Sequence, residues 1–172
     1  MIAPRWYLLG LVACLSLLSV AYFYFEKTLG LAPCPLCMFQ RACLAGVAVV
    51  CLFGLIIRPK ALLAKVFAFL SMMFSLLGLA IASRQVWLQN LPAHLVPECG
   101  PDLEYMLGAF PLSKVIQNVL QGSGECAEVQ WQFLTLSMPT WMVIVFAVMV
   151  LVSLKMLFLR ERRYFNKPYV DS

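Results

Sequence analysis

Charge is what this sequence has least of. Only 12% of its 172 residues are Asp, Glu, Lys or Arg, while 63% are hydrophobic; ordinary soluble domains carry about 25% charged residues. A soluble chain of this length has no interior large enough for so much apolar surface, so the composition excludes a soluble domain and points to an integral membrane protein. Histidine is nearly absent as well. His94 is the only one, which argues against a histidine-built metal or haem site. The net charge of +5 does not imply a nucleic-acid partner, because the basic residues stand at the ends of apolar runs and form no groove-like cluster. No internal repeat is present, and the length suits a single domain over residues 1–172.

Four apolar runs fill most of the chain. The first, residues 6–25, is free of charge; twenty residues at about 1.5 Å each span roughly 30 Å, the thickness of a bilayer core. Its apolar stretch is too long for a signal-peptide core and ends in the aromatic run Tyr22-Phe23-Tyr24-Phe25, so it is expected to be retained as a span. The second run covers 38–57 and is interrupted only by Arg41. The third covers 61–83, with Lys65 able to snorkel from its first turn, and the fourth covers 138–159. The expected fold is all-α: a four-helix transmembrane bundle with loops at 26–37 and 84–137. Within the long loop, Leu112, Val115, Ile116, Val119 and Leu120 follow the i, i+3, i+4 spacing of a short amphipathic helix, expected to lie in the membrane interface.

The charges orient the bundle. Arg58, Lys60 and Lys65 crowd the turn between spans two and three, and the tail from Lys155 has five basic residues against two acids. The 84–137 loop has two basic and five acidic residues. Basic loops stay in the cytoplasm, so both termini are expected there and the other two loops on the opposite face. That places Cys34, Cys37, Cys99 and Cys126 together in a compartment where disulfides persist. Cys14, Cys43 and Cys51 fall inside apolar runs and read as small buried hydrophobes.

Cys34-Pro35-Leu36-Cys37 is a Cys-x-x-Cys pair, a spacing used by redox dithiols and by zinc knuckles alike. Cys99 and Cys126 could complete four zinc thiolates, but they form no second Cys-x-x-Cys, and the compartment is oxidising; redox chemistry is the favoured reading. Arg41 follows Cys37 by four residues. In a helix the two share a face one turn apart, where a guanidinium favours a thiolate and can donate to a ligand oxygen. An arginine at that depth is costly enough to need a purpose. A Cys99–Cys126 bridge would close a loop of about 28 residues, worth roughly 3–4 kcal/mol in the chain-entropy account. It reads equally as a static staple or an exchangeable disulfide.

The block Cys34-Pro35-Leu36-Cys37 with Arg41, and the stretch from Ser123-Gly124-Glu125-Cys126 through Trp131, Met138-Pro139 and Trp141, resemble the disulfide bond formation protein B (DsbB) family. The resemblance covers essentially the whole chain. It implies a bacterial inner-membrane enzyme that reoxidises a periplasmic DsbA-type oxidase and passes the electrons to the membrane quinone pool, ubiquinone or menaquinone. It implies redox-active disulfides Cys34–Cys37 and Cys99–Cys126, with Cys99 attacked by the partner, Cys126 attacking Cys34, and Cys37 and Arg41 beside the quinone. The family is described with a histidine after the third span; His94 does not align with it clearly and is expected to be an exposed loop residue. Without the resemblance, the cysteines also fit a non-enzymatic four-span protein with static disulfides, a metal-binding membrane protein, or a reductase working in the opposite direction.

Overall fold

The computed structural model describes residues 3–31, 33–57, 59, 61–92, 108, 111, 113–114 and 124–165. Four long helices dominate it. Helix α1 (Ala3–Ser19) runs directly into a π-helical segment (Val20–Thr28); α2 spans Pro35–Ile57, α3 Ala61–Gln89 and α5 Met138–Phe165. Between the last two lie a short helix α4 (Gly124–Ala127) and a two-stranded hairpin, β1 (Gln132–Phe133) and β2 (Leu136–Ser137). All four long segments are apolar and long enough to cross a bilayer. The protein is a multi-pass, all-α membrane bundle.

Helix α2 packs between α1 and α3, and α3 also packs along α5. Small residues set how close the helices come. A β-carbon at Gly78 of α3 would overlap the ring of Phe146 on α5, which has no exposed surface. Gly46 of α2 receives Phe74 of α3 in the same way, and Gly54 receives Tyr7 of α1, each with the missing β-carbon 2.8 Å from a ring atom. Aromatic rings thus fill the notches left by glycine. Cys14, Cys43 and Cys51 are buried in the core, whereas Leu9, Ile56, Leu62 and Leu151 point outward, as suits side chains solvated by lipid.

Three segments depart from the expected boundaries. Helix α2 starts at Pro35, not residue 38. Proline is well suited to a first helical position, since its missing N–H would have no partner there. Helix α3 continues past residue 83 to Gln89 because no breaker occurs before Pro92 and the buried face, Ile81, Ala82, Gln85 and Leu88, keeps its helical spacing. The first span does not stop at Phe25. It continues to Thr28 with a widened turn, the Leu29 N–H reaching back five residues to the Tyr24 carbonyl at 3.0 Å.

The hairpin pairs Gln132 with Ser137 and Phe133 with Leu136. Its two turn residues, Leu134 and Thr135, have φ of 52° and 66°, a left-handed conformation that costs a non-glycine residue about 1–2 kcal/mol. The Trp141 indole N–H anchors it, donating to the Phe133 carbonyl at 3.2 Å. The apolar positions of the expected amphipathic helix, Leu112, Val115, Ile116, Val119 and Leu120, lie outside the described residues, as do Cys99 and His94.

The Gly78–Phe146 contact carries a prediction. Gly78→Ala forces Phe146 from its notch, and overpacking of this kind costs about 1–3 kcal/mol. Thermal unfolding in detergent should show a lower midpoint for Gly78→Ala, partly recovered in the double variant with Phe146→Leu. Gly108→Ala, at a position where no described residue comes within 4 Å of the added carbon, should leave the midpoint unchanged.

Candidate functional site

The site begins with the start of α2. Cys34 precedes Pro35 and occupies the N-cap. Its carbonyl accepts the Met38 N–H at 3.1 Å, and its sulfur accepts the Cys37 N–H at 3.4 Å. Cys37 lies in the first turn, so both sulfurs meet the positive end of the helix dipole, which favours negative charge. The two sulfurs are 2.9 Å apart in a hydrogen-bonded dithiol, with Cys34 the donor.

Cys126 comes from α4, far along the chain, and is 1% exposed. Its side chain hydrogen-bonds Cys34. Cys34 therefore sits between two thiols. The bond to Cys126, then the bond to Cys37, then burial hold the Cys34 thiol well above its ordinary pKa, which favours its protonated form. Cys34 and Cys37 are free thiols.

Arg41 is one turn beyond Cys37. Its guanidinium turns toward the π-helix, donating from Nη1 to the Glu26 carboxylate at 2.9 Å and from Nη2 to the Ala21 carbonyl at 3.2 Å. The widened turn is what places Glu26 on the helix rather than in a loop. Glu26 was not singled out by sequence; its position at the end of an apolar run reads simply as the end of a span.

Two glutamines also escaped sequence reasoning. Gln40 and Gln85 are 3% and 4% exposed. The Gln85 Nε2 lies 3.3 Å from both the Cys34 and the Cys37 sulfur, and the Gln40 Nε2 donates to the Gln85 Oε1 at 2.8 Å. The one available signal was that Gln40 adjoins Arg41 and Gln85 adjoins Arg84 at the boundary of an apolar run, a place where polar residues are ordinary.

Beside the dithiol is a cavity of about 310 Å³, at the lower end of the roughly 300–1,000 Å³ typical of small-molecule sites. Leu17, Val20, Leu44, Met142 and Val145 give it apolar walls, and Cys37, Gln40, Arg41 and Gln85 line it too. Val20 and Phe133 at its rim are half-exposed, so it opens on the outer surface of the bundle. Phe25, Trp131, Phe133 and Trp141 stand in succession along that side, with neighbouring ring centroids 5.0, 5.9 and 6.2 Å apart. A flat, mostly apolar ring with carbonyl oxygens suits this lining: apolar walls for its faces, and a guanidinium and amides for its oxygens. Cys37 and Arg41 line the cavity together, and Cys34, hydrogen-bonded to Cys37 and to Cys126, adjoins them.

Comparison with known proteins follows the same lines. The family described as "Disulfide bond formation protein DsbB" matches residues 3–156. Proteins named "Disulfide bond formation protein B" are similar over most of their length. The one from Marinobacter nauticus is 42% identical over 170 residues, 98% of either chain. That from Hahella chejuensis is 49% identical over 149 residues, 83% of this chain and 90% of its own. That from Methylococcus capsulatus is 46% identical over 140 residues, 81% of this chain and 85% of its own.

The position of Cys34 predicts a titration. If Cys126 is the main reason its thiol stays protonated, Cys126→Ala should lower the pH midpoint of Cys34 alkylation in the reduced protein, as followed by peptide mass spectrometry with iodoacetamide. A midpoint that stays in place or rises would show that Cys126 does not set the Cys34 proton affinity.

Proposed function

The chain belongs to the DsbB family of disulfide bond formation proteins, and we propose that within it this protein is a quinone-dependent thiol oxidase, reoxidising a periplasmic DsbA-type dithiol oxidase from the bacterial inner membrane. Family membership carries disulfide oxidoreductase activity. The finer reading assigns Cys34–Cys37 and Cys99–Cys126 as the two working disulfides, and Cys37 and Arg41 as the residues at the quinone. Both termini face the cytoplasm and the cysteine loops face the periplasm, in keeping with the basic 58–65 turn and carboxy-terminal tail.

The observation that carries the reading is the meeting of Cys34, Cys37 and Cys126 beside an apolar cavity that Cys37 and Arg41 line. In the proposed sequence, the partner's thiolate attacks Cys99 and releases Cys126 as a thiolate. Cys126 attacks Cys34 and releases Cys37. The partner's second thiolate then breaks the mixed disulfide, and Cys99 attacks Cys126 to restore its own pair and free Cys34. These exchanges conserve disulfides and leave Cys34 and Cys37 carrying two electrons.

A bound quinone, ubiquinone or menaquinone, supplies the two-electron acceptor for that dithiol. The protein's part is positional. The helix start keeps negative charge on the sulfurs, the cavity walls exclude water, and Arg41, fixed by Glu26 and the Ala21 carbonyl, offers a charged donor to a ring oxygen. Static disulfide staples would give no reason for Cys126 to lie against Cys34.

Anaerobic turnover tests this. Reduced DsbA-type protein and a soluble quinone analogue should be converted one for one by the purified protein. Cys37→Ser should abolish quinone reduction. Arg41→Gln should lower it by tenfold or more, as expected for loss of a hydrogen bond from a charged donor worth about 1.5–3 kcal/mol. Wild-type rates in either variant would displace the site from this cavity.

A further inference from the structure

Gln85 touches both sulfurs of the dithiol, and the exchange sequence gives it no role. We propose that Gln85 is a catalytic residue of the dithiol step: its carboxamide N–H group holds negative charge on the Cys34–Cys37 sulfur pair, and Gln40 is the positioning residue that keeps the donor end turned toward the sulfurs. The inference rests on the thiol-oxidase reading and adds a residue to it.

Three observations carry it. First, the distances: Nε2 of Gln85 is 3.3 Å from each sulfur, so one NH₂ group with two hydrogens spans the pair. Second, the polarity is fixed. A carboxamide has one donor end and one acceptor end. The Gln85 Oε1 accepts from the Gln40 Nε2 at 2.8 Å and only at a longer 3.7 Å from the Cys37 thiol, so the donor end is the one held closest to both sulfurs. Third, both amides are buried. A buried N–H without a good acceptor costs about 1–3 kcal/mol. A disulfide or neutral thiol sulfur is a weak acceptor and a thiolate a strong one. The amide is therefore best satisfied when the pair is reduced and charged, which is the state that must give up electrons.

The balance of the step is simple. Cys34 as thiol and Cys37 as thiolate form the S–S bond and release two electrons. The Cys34 proton and one proton from solvent accompany them to the quinone acceptor. Gln85 gives up no proton and forms no bond; it lowers the energy of the anion before the electrons leave. The titratable or charged groups that act on Cys37 are Cys34, Cys126 and Arg41, with Glu26 reaching it only through Arg41. None of these supplies a neutral, fixed donor to both sulfurs. A stabilised reduced form makes a disulfide more oxidising, so Gln85 should also raise the potential of the Cys34–Cys37 couple.

The test uses full-length Gln85→Leu, Gln85→Glu and Gln40→Leu in nanodiscs, each compared with wild type in three measurements. Equilibration with glutathione buffers should make oxidation of Cys34–Cys37 about tenfold more favourable in Gln85→Leu, a fall of about 30 mV for a two-electron couple. The pH midpoint of Cys37 alkylation should rise. Quinone reduction should fall about tenfold despite the lower potential, because the reactive thiolate becomes a smaller fraction of the reduced pair. Gln85→Glu, which sets an anion beside the sulfurs, should move all three further in the same directions, whereas a purely packing role predicts little difference between the two variants. Gln40→Leu should give smaller shifts of the same sign, and serves alone if neither Gln85 variant folds. Unchanged potential and alkylation midpoint in every folded variant would overturn the proposal, whether or not quinone is reduced. The first two measurements need no quinone. If they shift while wild-type protein reduces no quinone, the thiolate donor stands and the quinone-oxidase reading falls.

Discussion

A thiolate and a guanidinium at the edge of a membrane core are costly to bury, and most of this structure follows from how that cost is met. Each charged or ionisable group at the site is given a fixed partner. Arg41 has a carboxylate and a backbone carbonyl. The dithiol has a helix N-terminus, a carboxamide and a third thiol. The carboxamide has a second carboxamide behind it. Among the described residues, no buried side-chain nitrogen or oxygen lacks a hydrogen-bond partner. The result is a compact polar cluster at one end of an otherwise apolar bundle.

The bundle's packing serves the same end. Aromatic rings set into glycine notches bring α2 close to α1 and to α3, and that approach puts Gln85 of α3 against the start of α2. Extension of α3 past the apolar run is equally necessary, since Gln85 lies beyond residue 83. The π-helix has a parallel role on the other flank: it carries Glu26 to the guanidinium and leaves the Ala21 carbonyl within its reach. Two irregular or overlong helix ends thus supply the partners that a regular span would not.

Much of this was legible in the sequence, and what was not has identifiable causes. Four apolar runs announce four helices because a bilayer admits few other solutions. Cys34, Cys37 and Arg41 stood out because their spacing has chemical meaning on a helix. Gln40 and Gln85 did not, because a polar residue at the end of an apolar run is ordinary and only the tertiary packing aims it at a sulfur. Glu26 read as the first loop residue, since nothing in Val20–Thr28 distinguishes a π-turn from an α-turn. The hairpin was hidden because its turn is Leu134-Thr135, not the Asn-Gly or Asp-Gly that marks such turns. The nearness of Cys126 to Cys34 has no spacing signal at all; only the resemblance to a family implied it.

The central claim is that electrons cross between the loops from Cys126 to Cys34 before they leave the protein. Rapid acid quench with thiol trapping, during a single anaerobic turnover of the wild-type protein with reduced DsbA-type partner and quinone, tests it most directly. The account predicts a transient Cys34–Cys126 disulfide that forms before quinone is consumed and decays as Cys99–Cys126 is restored, with Cys34–Cys37 re-forming only as quinone is reduced. Quinone consumption that runs ahead of that bridge, or proceeds without it, would contradict the account.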